Sequence, residues 1–370
     1  MKILSVVGAR PNFMKIAPIA NAIKRHKGIK HILVHTGQHY DYAMSESFFK
    51  ELGIPKPDVN LEVGSASHAK QTATIMMKFE EVILRYQPDV VVVVGDVNST
   101  MACTLVAAKL NVPVAHVEAG LRSRDRNMPE EINRLVTDSI ADILFTTSRD
   151  ADKNLIKEFA PKNKIFFVGN VMIDTLFHNV LKAKRSQALK KLNLKRNNFA
   201  LVTLHRPSNV DNKKTLKEIF LALKAIQEKV KIVFPIHPRT RKNLASFVSE
   251  KEMKAMKNLL LVEPKGYFDF LQLMMNAKFL VTDSGGIQEE TTALGIPCLT
   301  VRHNTERPIT ITHGTNTLVG TNKSKIIKES MGILSGRGKR GKCPELWDGK
   351  ASERIVKKLV QLYKQKDLRR

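Results

Sequence analysis

The sequence is poor in cysteine and in aromatic residues, and it has no long apolar segment. Only three cysteines and one tryptophan occur among 370 residues, and aromatic residues make up 6% of the chain. Three cysteines without metal-ligand spacing argue against a disulfide framework and a zinc site, so Cys103, Cys298 and Cys343 are predicted to be buried or idle thiols. No apolar run approaches the roughly 18 residues that cross a bilayer, and the first residues lack the apolar core of a signal peptide. We therefore expect a cytoplasmic protein without a membrane partner.

Acidic residues are scarce relative to basic ones. The chain contains 61 Lys and Arg against 35 Asp and Glu, which gives a formal net charge of +26. The cations are spread over the polar faces of amphipathic segments, and the sequence contains no zinc finger, aromatic-interleaved basic stripe or long basic tail. This distribution favours a solvated basic surface and a small polyanionic substrate, and it argues against a nucleic-acid partner.

Apolar runs alternate with amphipathic segments in two successive blocks, as in repeated strand–helix units. The run 90–94 is apolar at every position, which is typical of a central parallel strand covered on both faces. The strands predicted for the first block are 3–7, 32–35, 90–94, 114–117 and 143–146. Those predicted for the second block are 199–204, 232–235, 259–262, 279–282 and 298–301. The pattern predicts an α/β fold with two doubly wound Rossmann-like domains.

The domain junction is predicted between residues 169 and 198, where a helix over 171–195 ends in a Lys-, Arg- and Asn-rich segment. The resulting domains are 1–170, expected to carry the catalytic carboxylates, and 171–351, expected to bind the anion. A final helix over 352–370 is predicted to pack back on the first domain. Because ligands of such sheets bind beyond the carboxyl ends of the strands, we expect a site in an interdomain cleft.

The 283–286 turn, Asp-Ser-Gly-Gly, follows an apolar strand and opens a helix. Gly285 and Gly286 allow close backbone approach, the helix N-terminus offers free N–H groups, and Ser284 adds a hydroxyl. These features predict an anion site, and Glu290 is positioned to reach ribose hydroxyls. The structural alternative is an ordinary turn capped by Ser284, followed by an exposed glutamate.

Basic side chains follow other predicted strands. Arg10 and Lys15 accompany the Gly-Ala-Arg-Pro turn after the first strand, and Arg307 lies in the loop after the last strong strand. Arginine suits phosphate through its planar fork and lysine suits it as a point charge. The alternative is general surface basicity.

Carboxylates occupy the ends of neighbouring strands and the start of one helix. Asp96 and Glu118 follow apolar runs, and Glu130 and Glu131 open a helix after Pro129. Clustered carboxylates suit general acid–base chemistry, because burial and mutual repulsion separate their pKa values. The alternative is helix capping, which accounts less well for Glu118.

A histidine follows the first strand of the second block. His205 is expected to project toward the bound anion and to donate a proton or hydrogen bond to a diphosphate. Arg206 beside it supports that interpretation, whereas an isolated histidine is more often structural. His237 is a similar but weaker candidate.

These motifs, taken in order, resemble the non-hydrolysing UDP-N-acetylglucosamine 2-epimerase family over nearly the whole chain. The motifs that carry the resemblance are GARPNFMKIAP from Gly8, TGQH from Thr36, VGD from Val94, HVEAGLR from His116, PEEINR from Pro129, DSGGIQEE from Asp283 and TERP from Thr305.

The resemblance implies a glycosyltransferase-B-like fold, a homodimer, and no nicotinamide cofactor or essential metal. It implies reversible conversion of UDP-N-acetylglucosamine (UDP-GlcNAc) to UDP-N-acetylmannosamine (UDP-ManNAc), by elimination and re-addition of UDP through 2-acetamidoglucal, in polysaccharide biosynthesis. The implied catalytic residues are Asp96, Glu118, Glu131 and His205, with Glu130 as an alternative to Glu131. The implied UDP-binding residues are Arg10, Lys15, His205, Lys265, Phe270, Ser284, Gly285, Gly286, Glu290 and Arg307. Which carboxylate serves each face of the sugar stays open.

Two departures from the family pattern stand out. Ser208 occupies a position where the family has glutamate. The stretch 40–44, Tyr-Asp-Tyr-Ala-Met, replaces a glutamine-rich patch that binds a second UDP-GlcNAc as an activator in many members. This sequence therefore predicts that such activation is absent.

Three other functions fit parts of the pattern. A hydrolysing 2-epimerase would release N-acetylmannosamine (ManNAc) and UDP, but the opening Gly-Ala-Arg-Pro motif with Lys15 argues against it. A glycosyltransferase of the same fold needs an acceptor groove and fewer carboxylates. A nucleotide-sugar sensor or nucleic-acid binder without turnover would leave the acids at the strand ends unexplained.

Overall fold

The computed structural model describes residues 1–38, 53 and 56–369, and these divide into two compact units. The first unit comprises Met1–His178 and Glu345–Arg370, and the second comprises Asn179–Pro344. The elements below are numbered over the described residues.

The first unit is built on a parallel sheet of seven strands in the order β3-β2-β1-β4-β5-β6-β7. Its strands are β1 Lys2–Val7, β2 Lys30–His35, β3 Val59–Asn60, β4 Val90–Val94, β5 Val114–Ala119, β6 Ile143–Thr146 and β7 Ile165–Phe167. Its helices are α1 Arg10–Lys24, α2 His68–Tyr86, α3 Asn98–Lys109, α4 Pro129–Ile140, α5 Arg149–Lys157 and α6 Val171–Lys184, with a 3₁₀ turn at Lys162–Lys164. Helix α6 contains the unit boundary.

Strand order in this sheet locates a binding edge. The five valines of β4 are all buried, as expected for a strand covered by helices on both faces. Chain order reverses between β1 and β4, which lie side by side. Loops at the carboxyl ends of strands beside such a reversal form the usual ligand site of doubly wound sheets. In this unit those loops begin at Gly8 and at Gly95.

The second unit repeats the design with six parallel strands in the order β10-β9-β8-β11-β12-β13. Its strands are β8 Phe199–Thr203, β9 Lys231–Pro235, β10 Leu259–Val262, β11 Phe279–Thr282, β12 Cys298–Thr300 and β13 Asn316–Leu318. Its helices are α7 Ala188–Lys191, α8 Pro207–Val210, α9 Lys213–Gln227, α10 Pro238–Phe247, α11 Glu250–Lys254, α12 Tyr267–Asn276, α13 Gly285–Leu294, α14 Ile309–Thr312 and α15 Lys323–Leu334. Chain order reverses between β8 and β11, so the loops after Thr203 and Thr282 adjoin the equivalent edge.

The last helix, α16 Ala351–Lys364, returns to the first unit, where it packs along α1. The buried carboxylate of Asp174 caps its N-terminus by accepting hydrogen bonds from the N–H groups of Ala351 at 3.0 Å and Ser352 at 2.7 Å. Trp347 leads into this helix and donates its indole N–H to Thr147 O at 2.9 Å. No helix in the described ranges is long and apolar enough to cross a membrane.

The strands predicted from apolar runs are present, with ends within two residues of those expected. Three strands of two or three residues, β3, β7 and β13, were not predicted because such short segments carry no periodic signal. The single helix predicted over 171–195 is wrong, because the chain leaves α6 at Lys184 and begins α7 at Ala188. Ser186 lies in this break, where its hydroxyl contacts Asp269 Oδ1 at 2.5 Å and accepts the Ala188 N–H, in competition with helical bonding.

Cys103 and Cys298 are buried free thiols, whereas Cys343 is exposed. The segment 40–44, on which the expected lack of activation depends, lies outside the described residues.

Candidate functional site

At the edge of the first unit, a lysine and a glutamate form a buried ion pair. Lys15 Nζ, from α1, lies 2.5 Å from Glu118 Oε2, at the end of β5. The two residues are only 5% and 2% exposed. The second carboxylate oxygen, Glu118 Oε1, is buried without a hydrogen-bond partner among the described residues. A carboxylate with one unengaged oxygen is suited to accept a proton from a bound substrate.

Glu118 also has an unusual backbone conformation. Its φ angle is +74°, in a region that residues with a Cβ atom rarely adopt. The pairing of β5 with β6 shifts register between Val117 and Ala119, which marks a bulge at this residue. Such conformations are concentrated at functional sites, where surrounding contacts hold them.

The turn after β4 requires glycine. Gly95 has a φ angle of +69°, and a Cβ atom there would lie 2.7 Å from Lys15 Nζ. Asn12 bridges the two neighbouring turns, because it donates to Val94 O at 2.9 Å and accepts from the N–H of Ala9 at 3.0 Å. Arg10 opens α1, and its side chain lies outside the described part of the structure.

Asp96 and Glu131 share one arginine. Arg134 donates to Asp96 Oδ2 and lies 2.6 Å from Glu131 Oε2. Glu131 also accepts the N–H groups of Ser123 and Arg124, both at 2.9 Å. Burial alone would raise the pKa of Glu131, but the Ser123 amide and Arg134 outweigh it and hold the pKa below its ordinary value.

These contacts separate the predicted acids by accessibility. The Asp96 side chain is 25% exposed, whereas Glu131 is buried and saturated with donors. Glu130 is exposed on the first turn of α4. Asp96 does not cap α3, because Val97 is the N-cap residue and the Ser99 N–H is accepted by Gln38 Oε1 at 3.2 Å. Within the ranges that the structure describes, no group of three or more His, Cys, Asp or Glu side chains is arranged to hold a metal ion.

At the edge of the second unit, a buried aspartate organises His205. Asp283 is fully buried and accepts the N–H groups of His205 at 3.1 Å and Arg206 at 2.9 Å. Its Oδ1 lies 3.0 Å from His205 Nδ1, while the His205 side chain is 50% exposed. Burial alone would raise the pKa of Asp283, but His205 and the backbone amides hold it below its ordinary value. The aspartate thus orients an imidazole that stays accessible.

The glycine-rich turn opens α13 with its first N–H groups unused by side-chain caps. Ser284 is the N-cap residue, yet its hydroxyl makes no capping bond. A Cβ atom at Gly285 would lie 2.6 Å from Arg307 Nη1 and 2.9 Å from Glu306 Oε1, so a larger residue there would displace these two side chains. Gly286, which follows, is partly exposed. The turn therefore has the donors that an anion site at a helix N-terminus needs.

Arg307, expected to contact the anion, belongs to a buried ion-pair network beside this turn. Its guanidinium contacts Glu306, and its Nε lies 2.8 Å from Glu289 Oε1. Arg302 contacts Glu306 at 2.8 Å. Burial would raise the pKa of Glu306, but Arg307 and Arg302 hold it well below its ordinary value. Sequence reasoning missed Glu289, Arg302 and Glu306, although the Arg-x-x-x-Glu spacing of 302 and 306 was a visible signal.

Glu290 is buried against Tyr267, whose hydroxyl donates to its Oε1 at 3.1 Å. Burial raises the pKa of Glu290 to about 7, with a further contribution from Glu289 and an opposing one from Tyr267. Phe270 lies on α12 and Lys265 in the loop before it, and both are partly buried.

Replacing Glu290 by glutamine is expected to remove a pH dependence of stability. The folded-state pKa of about 7 lies above the ordinary value of 4.5. Glu290 is therefore protonated in both states at low pH, and its carboxylate destabilises the fold as pH rises through that window. The free energy of unfolding of the wild type should fall relative to Glu290→Gln by roughly 2 kcal/mol between about pH 5 and pH 8. Denaturant titrations at the two pH values measure this difference, and parallel pH profiles would contradict it.

Comparison with known proteins gives a consistent result. A family model described as UDP-N-acetylglucosamine 2-epimerase matches residues 21–360. A UDP-N-acetylglucosamine 2-epimerase of Methanocaldococcus jannaschii is 44% identical, over 97% of this chain and 99% of its own. A UDP-2,3-diacetamido-2,3-dideoxy-D-glucuronate 2-epimerase of Pseudomonas aeruginosa is 40% identical, over 98% of this chain and 100% of its own.

Solved structures agree with these relatives. The crystal structure of the M. jannaschii UDP-GlcNAc 2-epimerase in complex with UDP-GlcNAc and UDP matches with a TM-score of 0.88, over 98% of this chain and 100% of the other. The Neisseria meningitidis UDP-GlcNAc 2-epimerase bound to UDP-GlcNAc also reaches 0.88 at 31% identity, with the same coverage. The predicted fold class, two doubly wound α/β domains of the glycosyltransferase-B-like kind, is confirmed. With its model match and near full-length relatives, the chain belongs to the UDP-N-acetylglucosamine 2-epimerase family.

Proposed function

We propose that this protein interconverts UDP-GlcNAc and UDP-ManNAc without releasing free sugar, by eliminating UDP to form 2-acetamidoglucal and adding it back. The observation that carries the proposal is the buried Glu118 carboxylate, which is paired with Lys15 through one oxygen and unpartnered at the other. Inversion at C2 requires a base at a C–H bond, and a held carboxylate is suited to that task. The relatives' activity on a UDP-linked 2-acetamido sugar supports the substrate class.

The reaction needs an acid–base group on each face of the sugar. One carboxylate takes the C2 proton, the C1–O bond breaks with its electron pair going to the β-phosphate oxygen of UDP, and a C1–C2 double bond forms. UDP oxygen then attacks C1 while a proton is delivered to the opposite face of C2. We assign these tasks to Glu118, which keeps one unpartnered carboxylate oxygen, and to Asp96, whose side chain is 25% exposed. Glu131, saturated by its donors, holds Arg134 and so places Asp96.

The second unit is proposed to bind UDP and to stabilise it as a leaving group. The free N–H groups at the start of α13, the Ser284 hydroxyl and the accessible His205 ring provide donors for the diphosphate. Preorganised donors of this kind stabilise the charge that develops as the C1–O bond breaks, and retained UDP makes re-addition effectively intramolecular. In this assignment Glu290 contacts the ribose. The remaining proposed contacts are Lys265 and Phe270 at the uracil, Gly285 and Gly286 within the turn, and Arg10, Lys15 and Arg307 as cations near the phosphates.

The P. aeruginosa relative supports a second substrate of the same class. UDP-2,3-diacetamido-2,3-dideoxy-D-glucuronate differs from UDP-GlcNAc at C3 and C6 but shares UDP, the 2-acetamido group and the C2–H bond. Both substrates therefore call for the same elimination chemistry.

Product analysis by proton and phosphorus NMR tests the proposed reaction. Incubation with UDP-GlcNAc should yield UDP-ManNAc, and starting from either epimer should lead to the same mixture. Accumulating free ManNAc and UDP would instead identify a hydrolysing epimerase. Turnover of the diacetamido-glucuronate alone would identify the second substrate, and no reaction with either would refute the proposed enzyme.

We further propose that the protein is a cytoplasmic homodimer. Met77 and Leu84 are 63% and 61% exposed and lie seven residues apart on α2, so they share one face of the helix. Large apolar side chains this exposed on one side of a helix are where we place the self-association surface. The product, a UDP-activated sugar, is a donor for glycosyl transfer and so fits polysaccharide biosynthesis.

Light scattering after size exclusion tests the dimer with one substitution and one control. The wild type should have twice the mass of the chain, and Met77→Glu should shift it to monomer by placing a charge in the interface. Leu181→Glu, a similarly exposed position on α6, should stay dimeric. A monomeric wild type would overturn the proposal.

A further inference from the structure

Asp138 on α4 takes no part in the proposed chemistry, yet it is bonded directly to the turn after Glu118 and, through His116, to the turn before Asp96. It is buried, and its Oδ1 lies 2.6 Å from His116 Nδ1. Its Oδ2 accepts the N–H of Gly120 at 2.9 Å and contacts Arg122 Nη1 at 2.7 Å. Gly120 lies two residues after Glu118, so this carboxylate is tied directly to the bulged end of β5.

His116 extends the same connection to the turn before Asp96. The ring is fully buried in β5, and its Nε2 lies 2.8 Å from Gly95 O. The partners of the two ring nitrogens, the Asp138 carboxylate and the Gly95 carbonyl, are both acceptors. One ring nitrogen thus faces the Asp138 carboxylate and the other faces the Gly95 carbonyl, so His116 connects Asp138 to the Gly95 turn.

The turn after β5 needs such restraint because Glu118, a residue with a Cβ atom, lies in the left-handed region. The φ angles are +69° at Gly95, +74° at Glu118 and +80° at Gly120. A non-glycine residue in that region costs on the order of 1–3 kcal/mol and persists only where surrounding contacts hold it. Gly120 is confined further, since a Cβ atom there would lie 2.5 Å from Ala151 O.

Both carboxylate oxygens of Asp138 have partners within the core. Burial by itself would raise its pKa, but His116 and Arg122 hold the pKa below its ordinary value, so the group is a carboxylate. Arg122 also binds Glu158 through Nε and Nη2, at 3.0 Å and 2.6 Å. A fully paired buried network has fixed geometry, whereas removing one member leaves an uncompensated charge.

Helix α4 presents this network on one face. Glu131, Arg134 and Asp138 are spaced i, i+3 and i+7, which places their side chains on the same side of the helix. Arg134 contacts the Asp96 carboxylate, and Asp138 binds the Gly120 N–H directly and Gly95 O through His116. One rigid helix thus sets the positions of Asp96 and Glu118 together.

We propose that Asp138, acting through His116 and Gly120, is the positioning residue that places both acid–base groups of the reaction. The expected fall in kcat rests on the proposed function, whereas the expected loosening of the two turns does not. Displacement of a reacting group by about 1 Å costs roughly 10²-fold in rate. Loss of the Asp138 contacts should therefore lower kcat strongly and leave binding of UDP by the second unit intact.

Asp138→Asn tests this directly, because it replaces one carboxylate oxygen, a hydrogen-bond acceptor, by an amide NH₂ group. That group is a donor and would face the donors that now bind the carboxylate. We expect kcat to fall about 10²-fold, while KM and the Kd for UDP stay within about threefold. Amide hydrogen exchange should accelerate in segments 94–97 and 118–123 and stay unchanged in the second unit. The matched control is Asp142→Asn, since Asp142 accepts the Val114 N–H at 3.0 Å at the opposite end of β5. This control should keep kcat within about twofold.

A second variant distinguishes the contact of Asp138 with Gly120 from its connection to Gly95 through His116. It also provides the test if Asp138→Asn does not fold. His116→Gln breaks the path to Gly95 but keeps the Asp138 bond to Gly120. Amide hydrogen exchange in this variant should accelerate in segment 94–97 and not in segment 118–123, and kcat should fall about tenfold. Unchanged exchange at both turns, or a kcat within about threefold of wild type in an active enzyme, would overturn the inference. If the wild type has no epimerase activity, the proposed function has failed, and the exchange pattern alone still decides whether Asp138 places the turns.

Discussion

Glu118→Gln should lower turnover of UDP-GlcNAc by about 10³-fold while leaving the affinity for UDP within about twofold. Glutamine keeps the size of the side chain but cannot accept the C2 proton. Glu118 Oε2 lies 2.5 Å from Lys15 Nζ, and the other carboxylate oxygen has no partner in the described structure. Steady-state kinetics, a UDP binding isotherm and a thermal melt together measure the effect.

Asp174→Asn is the matched control for burial and charge. Asp174, like Glu118, is an almost fully buried acid, but its carboxylate caps α16. Asparagine offers one acceptor oxygen to the two N–H groups that Asp174 binds, so this control should lower the free energy of unfolding by about 1–2 kcal/mol. It should keep kcat per folded molecule near wild type. If Glu118→Gln retains a tenth of wild-type turnover, or loses activity only through unfolding, Glu118 is not the base.

His205→Ala should lower turnover by about 10²- to 10³-fold, with most of the loss in kcat. The half-exposed ring is held by Asp283 through Nδ1 at 3.0 Å, which leaves the remainder of the imidazole available to the departing diphosphate. Asp283→Asn, which weakens the orientation but keeps the ring, should cause a smaller loss. Kinetics of the three proteins under identical conditions give the order of effects.

His237→Asn is the control for this prediction. His237 also follows a strand of the second unit, but its ring accepts the Arg239 N–H at the start of α10. Asparagine caps helices equally well, so this variant should keep wild-type kinetics. Equal losses at His205 and His237 would assign both residues a structural role.

Sequence reasoning located the candidate residues because parallel sheets impose a simple rule. The carboxyl ends of parallel strands lie at one edge of a sheet, so residues that end or follow apolar runs are expected at that edge. The residues located in this way are Asp96 after β4, Glu118 at the end of β5 and His205 after β8. The same rule identified the Asp-Ser-Gly-Gly turn after β11. These placements needed only strand positions, and apolar runs are the strongest signal in the chain.

The partners of those residues were not predictable in the same way. Lys15 and Glu118 are 103 positions apart, and no local spacing connects them. Arg307 was expected to face an anion, but its contacts with Glu289 and Glu306 depend on how the loop after β12 packs beside α13. His116 had the position of an ordinary strand residue, so its bond to Asp138 emerges only from tertiary structure. Long-range pairing of this kind decides which acids are accessible.

The most direct test of the central claim is epimerisation in deuterated water, followed by proton NMR of the UDP-sugars. The account predicts that UDP-ManNAc forms with one solvent deuterium at C2, because a carboxylate removes the original proton and a second group returns one from solvent. It also predicts that Glu118→Gln loses this incorporation and the epimerisation together. UDP-ManNAc formed with the original C2 hydrogen retained would contradict the account.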